Sequence, residues 1–340
     1  MDTTVLKQIL REYNIKRQNA ITEAEKRKFE LLAINPKLSE IETELANISI
    51  KTSITLLTAA NEEKENILKD LEKKSKKLIK EKNSILKQLS KSSDYLTPHF
   101  ECKKCEDTGY VLEDGKTVMC NCLKQKIFNL YYNKSNIGNI DRENFSTFNS
   151  RLFSHKSNTE LYKSEISPKE NIELLKEKAL NFINNFDDPT EQNLLFTGNT
   201  GLGKTFLSNC IAKEMLQKGK TVLYQTAPVM FDSIQDTKFG KENTNIDLLD
   251  NIYNVDLLII DDLGTEKITE TKISELFTII NTRLLNSNNH ITKTIISTNL
   301  TIQELVKVYT PRIGSRLAGN YRVLRFFGED LRIKSKKQID

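Results

Sequence analysis

Eight consecutive residues, Gly198-Asn199-Thr200-Gly201-Leu202-Gly203-Lys204-Thr205, constrain this chain more than any other stretch. They follow the apolar run Leu194-Leu195-Phe196 and precede the helix-forming stretch Phe206–Gln217. A Gly-x4-Gly-Lys-Thr loop between a strand and a helix is a phosphate cradle. Its glycines let backbone N–H groups wrap a phosphate chain, and the helix N-terminus adds its positive dipole end. In this reading Lys204 reaches the β- and γ-phosphates of ATP, and Thr205 offers its hydroxyl to Mg2+. Around the loop the sequence predicts a parallel α/β sheet. Its expected strands are Asn193–Thr197, Thr221–Gln225, Leu257–Asp261, Thr294–Thr298 and Val323–Phe327.

Two of those strands end in polar residues that suit hydrolysis. Leu257-Leu258-Ile259-Ile260 runs into Asp261-Asp262. The C-terminal end of a buried parallel strand faces the ligand crevice. There Asp261 would hold Mg2+ through water and Asp262 would polarise the attacking water; a helix cap is the plainer alternative. Ile295-Ile296-Ser297-Thr298 ends at Asn299, which can bond the γ-phosphate or the attacking water, or simply make a turn. Arg312, Arg316, Arg322, Arg325 and Arg332 follow. Arginine from a neighbouring subunit can stabilise transition-state charge. Arg316 is assigned that role and Arg332 that of a sensor in its own subunit, against ordinary surface roles for both.

Cys102-Lys103-Lys104-Cys105 and Cys120-Asn121-Cys122 flank a hairpin expected to turn at Asp114-Gly115. Four soft ligands in two close pairs suit tetrahedral Zn2+, and a closed four-thiolate site leaves no position for catalysis. Two disulfides, four free thiols, or His99 replacing one thiolate are the alternatives. Cys210, inside the helix after the phosphate loop, reads as a small buried hydrophobe.

Before Pro98 the chain has no Gly and a single Pro, Pro36, so this block is expected to be helical. Ile67, Leu71, Leu78, Ile85 and Leu89 fall at helical spacing, with Lys73, Lys74, Lys76, Lys77, Lys80 and Lys82 beside them. Such a segment docks on a partner or presents a solvated basic face. Net charge is only +5, which permits nucleic-acid contact without demanding it. No run nears the roughly 20 apolar residues that span a bilayer, and the N-terminus lacks a signal-peptide layout. A cytoplasmic protein without membrane contact is therefore expected. The expected divisions are a helical partner-docking region over 1–97, a zinc module over 98–132, a linker over 133–167 and an ATPase domain over 168–340.

Taken together, these residues resemble the bacterial replicative-helicase loaders of the DnaC/DnaI type, within the AAA+ ATPases, and are similar to the transposition ATPase subunit IstB. The matching stretches are the two cysteine pairs, Asn193–Leu207, Asp261-Asp262-Leu263-Gly264, Ser297-Thr298-Asn299 and Ser315-Arg316-Leu317. The resemblance runs from Cys102 to the end. It implies a five-stranded AAA+ core without a full lid, since little chain follows Arg332. The implied function is ATP-dependent loading of the hexameric replicative helicase onto single-stranded DNA during replication initiation. The N-terminal region would bind the helicase, and the ATPase domains would self-associate. Arg316 would then act in trans, and Arg332 would sense nucleotide through Asp330-Leu331-Arg332. The segment 227–245, with Lys238, Phe239 and Lys241, would contact single-stranded DNA by charge and stacking. Phe145 and Phe148 match an element near the adenine, with a core role equally open. A transposition or phage-borne ATPase, or a nucleotide-gated adaptor with little turnover, are the competing readings.

Overall fold

The computed structural model describes residues 3–58, 61–131, 140, 142–238, 248–286 and 291–336. They divide into two compact units, Gln8–Val111 and the chain from Leu112 onward together with the first seven residues. Phe239 and Lys241 lie outside the described residues.

The first unit is built on α1 (Thr3–Ile34), α2 (Pro36–Thr58) and α3 (Asn61–Gln88). The break between α1 and α2 is dictated locally. Pro36 cannot continue a helix but fits its first turn, and Asn35 Oδ1 accepts the Leu38 N–H at 3.0 Å as a cap. Ion pairs Lys37–Glu81 and Glu44–Lys74 link α2 to α3, and Glu42 takes both Lys28 and Lys82. The middle of the expected α3 stripe, Leu71, Leu78 and Ile85, is half-buried, while its ends Ile67 and Leu89 face solvent and Leu68 is half-buried instead of Ile67. Ile85 packs with buried Leu86 against Leu31, Leu38 and Leu96, so the covered face lies between two adjacent stripes that spacing alone fits equally. Of the neighbouring lysines, Lys74, Lys76 and Lys82 pair with Glu44, Glu72 and Glu42.

Next come a two-stranded hairpin, β1 (Tyr110–Glu113) with β2 (Lys116–Met119), and α4 (Asn121–Tyr131). Asp114 and Gly115 turn the hairpin with φ of 50° and 74°, the left-handed pair a tight two-residue turn requires. The stretch expected as a linker packing on the following domain contains a 3-10 turn at Ser150–Leu152 and α5 (Thr159–Tyr162), with Phe153 and Tyr162 buried.

The rest is α6 (Pro168–Asn184), β3 (Asn193–Thr197), α7 (Lys204–Gln217), β4 (Val222–Thr226), α8 (Ala227–Lys238), α9 (Leu248–Asn254), β5 (Leu257–Leu263), α10 (Glu270–Asn286), β6 (Lys293–Thr298), α11 (Ile302–Tyr309), α12 (Pro311–Asn320), β7 (Tyr321–Arg325) and α13 (Leu331–Lys336). The five strands are parallel in the order β4-β5-β6-β3-β7. This is the expected α/β architecture. The last strand starts two residues earlier than expected, because Tyr321 already pairs with Asn193. Both faces are covered. Leu194 and Phe196 of β3 enter the core beneath α6 and α7, and Leu195 enters the opposite core with α8, α10, α11 and α12.

Two side chains fasten the ends of this sheet. Arg283 of α10 is fully buried and donates to the carbonyls of Ile252 (2.7 Å), Val255 (3.0 Å) and Lys293 (2.8 Å) and to Thr294 Oγ1 (2.9 Å). At the edge strand β4, the Gln125 amide of α4 exchanges two bonds with Val222, donating to its carbonyl at 3.0 Å and accepting its N–H at 2.7 Å.

Candidate active site

β3 delivers the loop 198–203 between β6 and β7, and α7 begins at Lys204. Three glycines make the bend. Gly198, Gly201 and Gly203 have φ of 140°, 74° and 89°, a region costly for side chains with a Cβ. Space is also short. A Cβ on Gly198 would lie 2.2 Å from the Phe326 carbonyl oxygen, and one on Gly201 would lie 2.0 Å from an Asp330 carboxylate oxygen. The obstacle at Gly198 is backbone, whereas at Gly201 it is the end of a side chain that can turn away. Gly198→Ala is therefore expected to weaken ATP binding about tenfold or more, and Gly201→Ala less. Calorimetric titration with ATP measures both.

The segment after β7 closes over the loop. Phe326 N donates to the Thr197 carbonyl at 2.7 Å, and Leu331 N to the Gly201 carbonyl at 3.0 Å. That brings Arg332 to the rim of the cavity lined by Thr200–Phe206, Asp262, Asn299, Leu331 and Glu143. Lys204 is buried, and its ammonium donates to Gly198 O (2.6 Å), Asn199 O (2.7 Å) and Asn299 Oδ1 (2.7 Å). Burial pushes its pKa down, opposed by Asp262 and Asp261, while Arg332 adds to the lowering.

Asp261 is buried and accepts three hydroxyl donors: Thr205 at 3.1 Å, Tyr224 at 2.9 Å, and Ser297 on its other oxygen. Thr205 and Asp261, the residues assigned to Mg2+, thus already meet. Tyr224 and Ser297 were missed in the sequence. They sit on the strands either side of β5; no local motif marks Tyr224, and Ser297 stands in the Ser-Thr-Asn stretch without any sign of its bond to Asp261. A bulge between Ile260 and Leu263 interrupts the β5–β6 register, and Asp262 takes the left-handed region at φ 56°. The bulge sends successive acids to different places: Asp261 into the sheet and Asp262 to the cavity. Its N–H donates to Ser297 Oγ at 3.0 Å. Burial and then Asp261 push the Asp262 pKa up, against Lys204 and Arg332.

Arg316 is not among the residues lining this cavity. It sits on α12, bonded to Asn281 Oδ1 at 3.0 Å and stacked 4.4 Å over the Phe277 ring. Lys238 pairs with Glu275. Phe145 and Phe148 pack beside Phe206 on the core under α7.

The four cysteines converge. The sulfurs of Cys102, Cys105, Cys120 and Cys122 all lie within 4.8 Å of one another, and none forms a disulfide. Tetrahedral Zn2+ with bonds near 2.3 Å needs sulfurs about 3.8 Å apart, so the group fits with small adjustments. Asp107, also buried, holds the first knuckle by accepting the N–H groups of Glu101 (2.9 Å) and Cys102 (2.8 Å). His99 instead lies against the Asp94 carbonyl. Cys210 is fully buried, and burial lifts its thiol pKa to about 12, as suits an inert core residue.

Residues 146–338 match the family model described as IstB-like ATP binding protein. The chain is 31% identical over 140 residues to the replicative helicase loader DnaC of Escherichia coli strain K12, covering 41% of this chain and 55% of that protein. It is 30% identical over 95 residues to the insertion sequence IS1162 putative ATP-binding protein of Pseudomonas fluorescens, covering 27% of this chain and 38% of that protein. The matches thus span about half, or less, of these relatives' length. A solved structure of a putative primosome component from Streptococcus pyogenes serotype M3 aligns with TM-score 0.42 and 17% identity, over 56% of this chain and 90% of that one. No described helix is long and apolar enough to cross a membrane.

Proposed function

This chain belongs to the IstB-like ATP-binding family, and from that membership we propose that it hydrolyses ATP to load a replicative helicase onto single-stranded DNA. The observation that carries the reading is the meeting of Lys204 with Asn299 and of Thr205 with Asp261 around one cavity. Lys204 would turn its ammonium from the loop carbonyls to the β- and γ-phosphates. Thr205 and Asp261 would hold Mg2+, which supplies charge to the phosphates when bound. Asp262, facing the cavity, would take a proton from the attacking water, and Asn299 would orient that water. Arg332 would touch the same nucleotide. Arg316, placed away from it, is left available to a neighbouring copy.

The division into a helical docking region over 1–97, a metal module over 98–132, a linker over 133–167 and an ATPase over 168–340 belongs to this proposal. So does contact of Lys238 with single-stranded DNA. The cysteine knuckle favours a loader over a transposition helper. The decisive experiment mixes the full chain with the replicative helicase of the same organism. Co-migration, and ATP-dependent appearance of helicase on single-stranded DNA, are expected. If neither occurs and the chain instead co-purifies with a transposase, the transposition reading replaces this one.

Metal analysis of the reduced protein is expected to find about one zinc per chain. Cys102→Ser is expected to release it and loosen the hairpin while ATP binding persists.

A further inference from the structure

One acid in the wall of the nucleotide cavity has no part in the chemistry above. Glu143 lines it alongside Leu202, Phe206 and Leu331. A carboxylate beside a triphosphate would repel it, so its placement along the cavity matters. Glu143 is held by α7, where one carboxylate oxygen accepts from Asn209 Nδ2. Asn209 lies five residues beyond Lys204, which is about 7.5 Å along the helix axis. That displacement carries Glu143 away from the phosphate loop. Asn209 is 1% exposed, and its own Oδ1 finds no hydrogen-bond partner among the described residues. Phe206, the wall residue just past the loop, faces Phe148 with ring centroids 6.1 Å apart. The cavity wall here therefore sets the Phe206 ring beside the Glu143 carboxylate, with Asn209 buried behind it.

We propose that Glu143 selects the base of the nucleotide, accepting a hydrogen bond from the exocyclic amino group of adenine. This rests on the reading of the cavity as an ATP site. Adenine presents donors at its six position, whereas guanine presents an acceptor oxygen. In the pose that sets the six position against Glu143, the carboxylate's acceptors pair with the adenine amino group and oppose the guanine oxygen, whose ring N–H and two-amino donors meet the carboxylate only if the base shifts in the cavity. Asn209 fixes the carboxylate's direction, which limits its escape to a neutral pose. A site built around one polar group of its ligand rejects analogues that lack it, because its own buried group is then left unpaired.

The test is competition binding of ATP, GTP and purine riboside triphosphate, which lacks the amino group, to the full chain and to Glu143→Gln. The unaltered chain should prefer ATP over purine riboside triphosphate by about tenfold, and over GTP by more. Glu143→Gln should bring both ratios towards one, with GTP gaining absolutely because the amide can donate to its oxygen. Glu143→Asp, which keeps the charge, should retain the preference for ATP over GTP. Equal binding of ATP and purine riboside triphosphate by the unaltered chain overturns the proposal, whatever the variants do. Unchanged ratios in Glu143→Gln overturn it too. If the unaltered chain binds none of the three, the ATP reading itself fails, which is a separate result.

Discussion

Asp262→Asn should leave ATP bound and slow its hydrolysis about 100- to 10,000-fold, the usual worth of a positioned general base. The amide keeps the size and the backbone hydrogen bonds of the loop, so nucleotide affinity should change little. Single-turnover hydrolysis beside equilibrium ATP binding separates the two effects. A variant hydrolysing at the original rate would remove Asp262 from the mechanism and favour an adaptor with little turnover. Burial and the neighbouring Asp261 raise the Asp262 pKa, and two consequences follow. Activity needs the ionised form, so hydrolysis should fall on the acid side at a pH above the ordinary aspartate range. Stability moves the other way. A carboxyl with a higher pKa folded than unfolded opposes folding once ionised. That cost grows as pH rises through the unfolded and then the folded value, and is absent below both. At neutral pH the neutral asparagine should therefore raise the melting temperature of the ATPase unit while abolishing most of its turnover.

Arg283→Met should be the most destabilising single change in the same unit. The methionine fills much of the volume but leaves the carbonyls of Ile252, Val255 and Lys293 without their donor in a dry interior. Removing one member of such a buried charged network costs about 3–5 kcal/mol, or roughly 10 °C of melting temperature in a domain of this size. Burial lowers the arginine's pKa to about 10, so it remains charged at neutral pH and its hydrogen bonds keep their charge assistance. Thermal unfolding with and without ATP is the measurement. A fall of only a degree or two would mean that water or rearranged backbone satisfies those carbonyls.

What could be read without coordinates follows from how far apart the cooperating residues lie. The loop Gly198–Thr205 is contiguous, and its glycines declare a backbone that other residues cannot follow. The acids at the end of β5 and Asn299 at the end of β6 are each flagged by an apolar run stopping at a polar residue. The partners of Asp261 are not, because Tyr224 and Ser297 reach it only once β4, β5 and β6 lie side by side. Arg283 looked like any basic residue late in a helix, and nothing in its neighbours announces six hydrogen bonds, four to the backbone of residues 252–256 ahead of β5 and two at the start of β6. The stripe on α3 shows a second limit. Ile67 and Leu68 both continue a helical period, and only the surface opposite decides which is covered.

The amide of Gln125 imitates one peptide unit against Val222, and this has a consequence for how copies of the chain can meet. The open margin of a sheet invites another strand to zip onto it, in a chain reaction with no natural end. Here the first rung of that margin is already occupied by a side chain of the same molecule. A strand adding at this rung of β4 would first have to displace that amide.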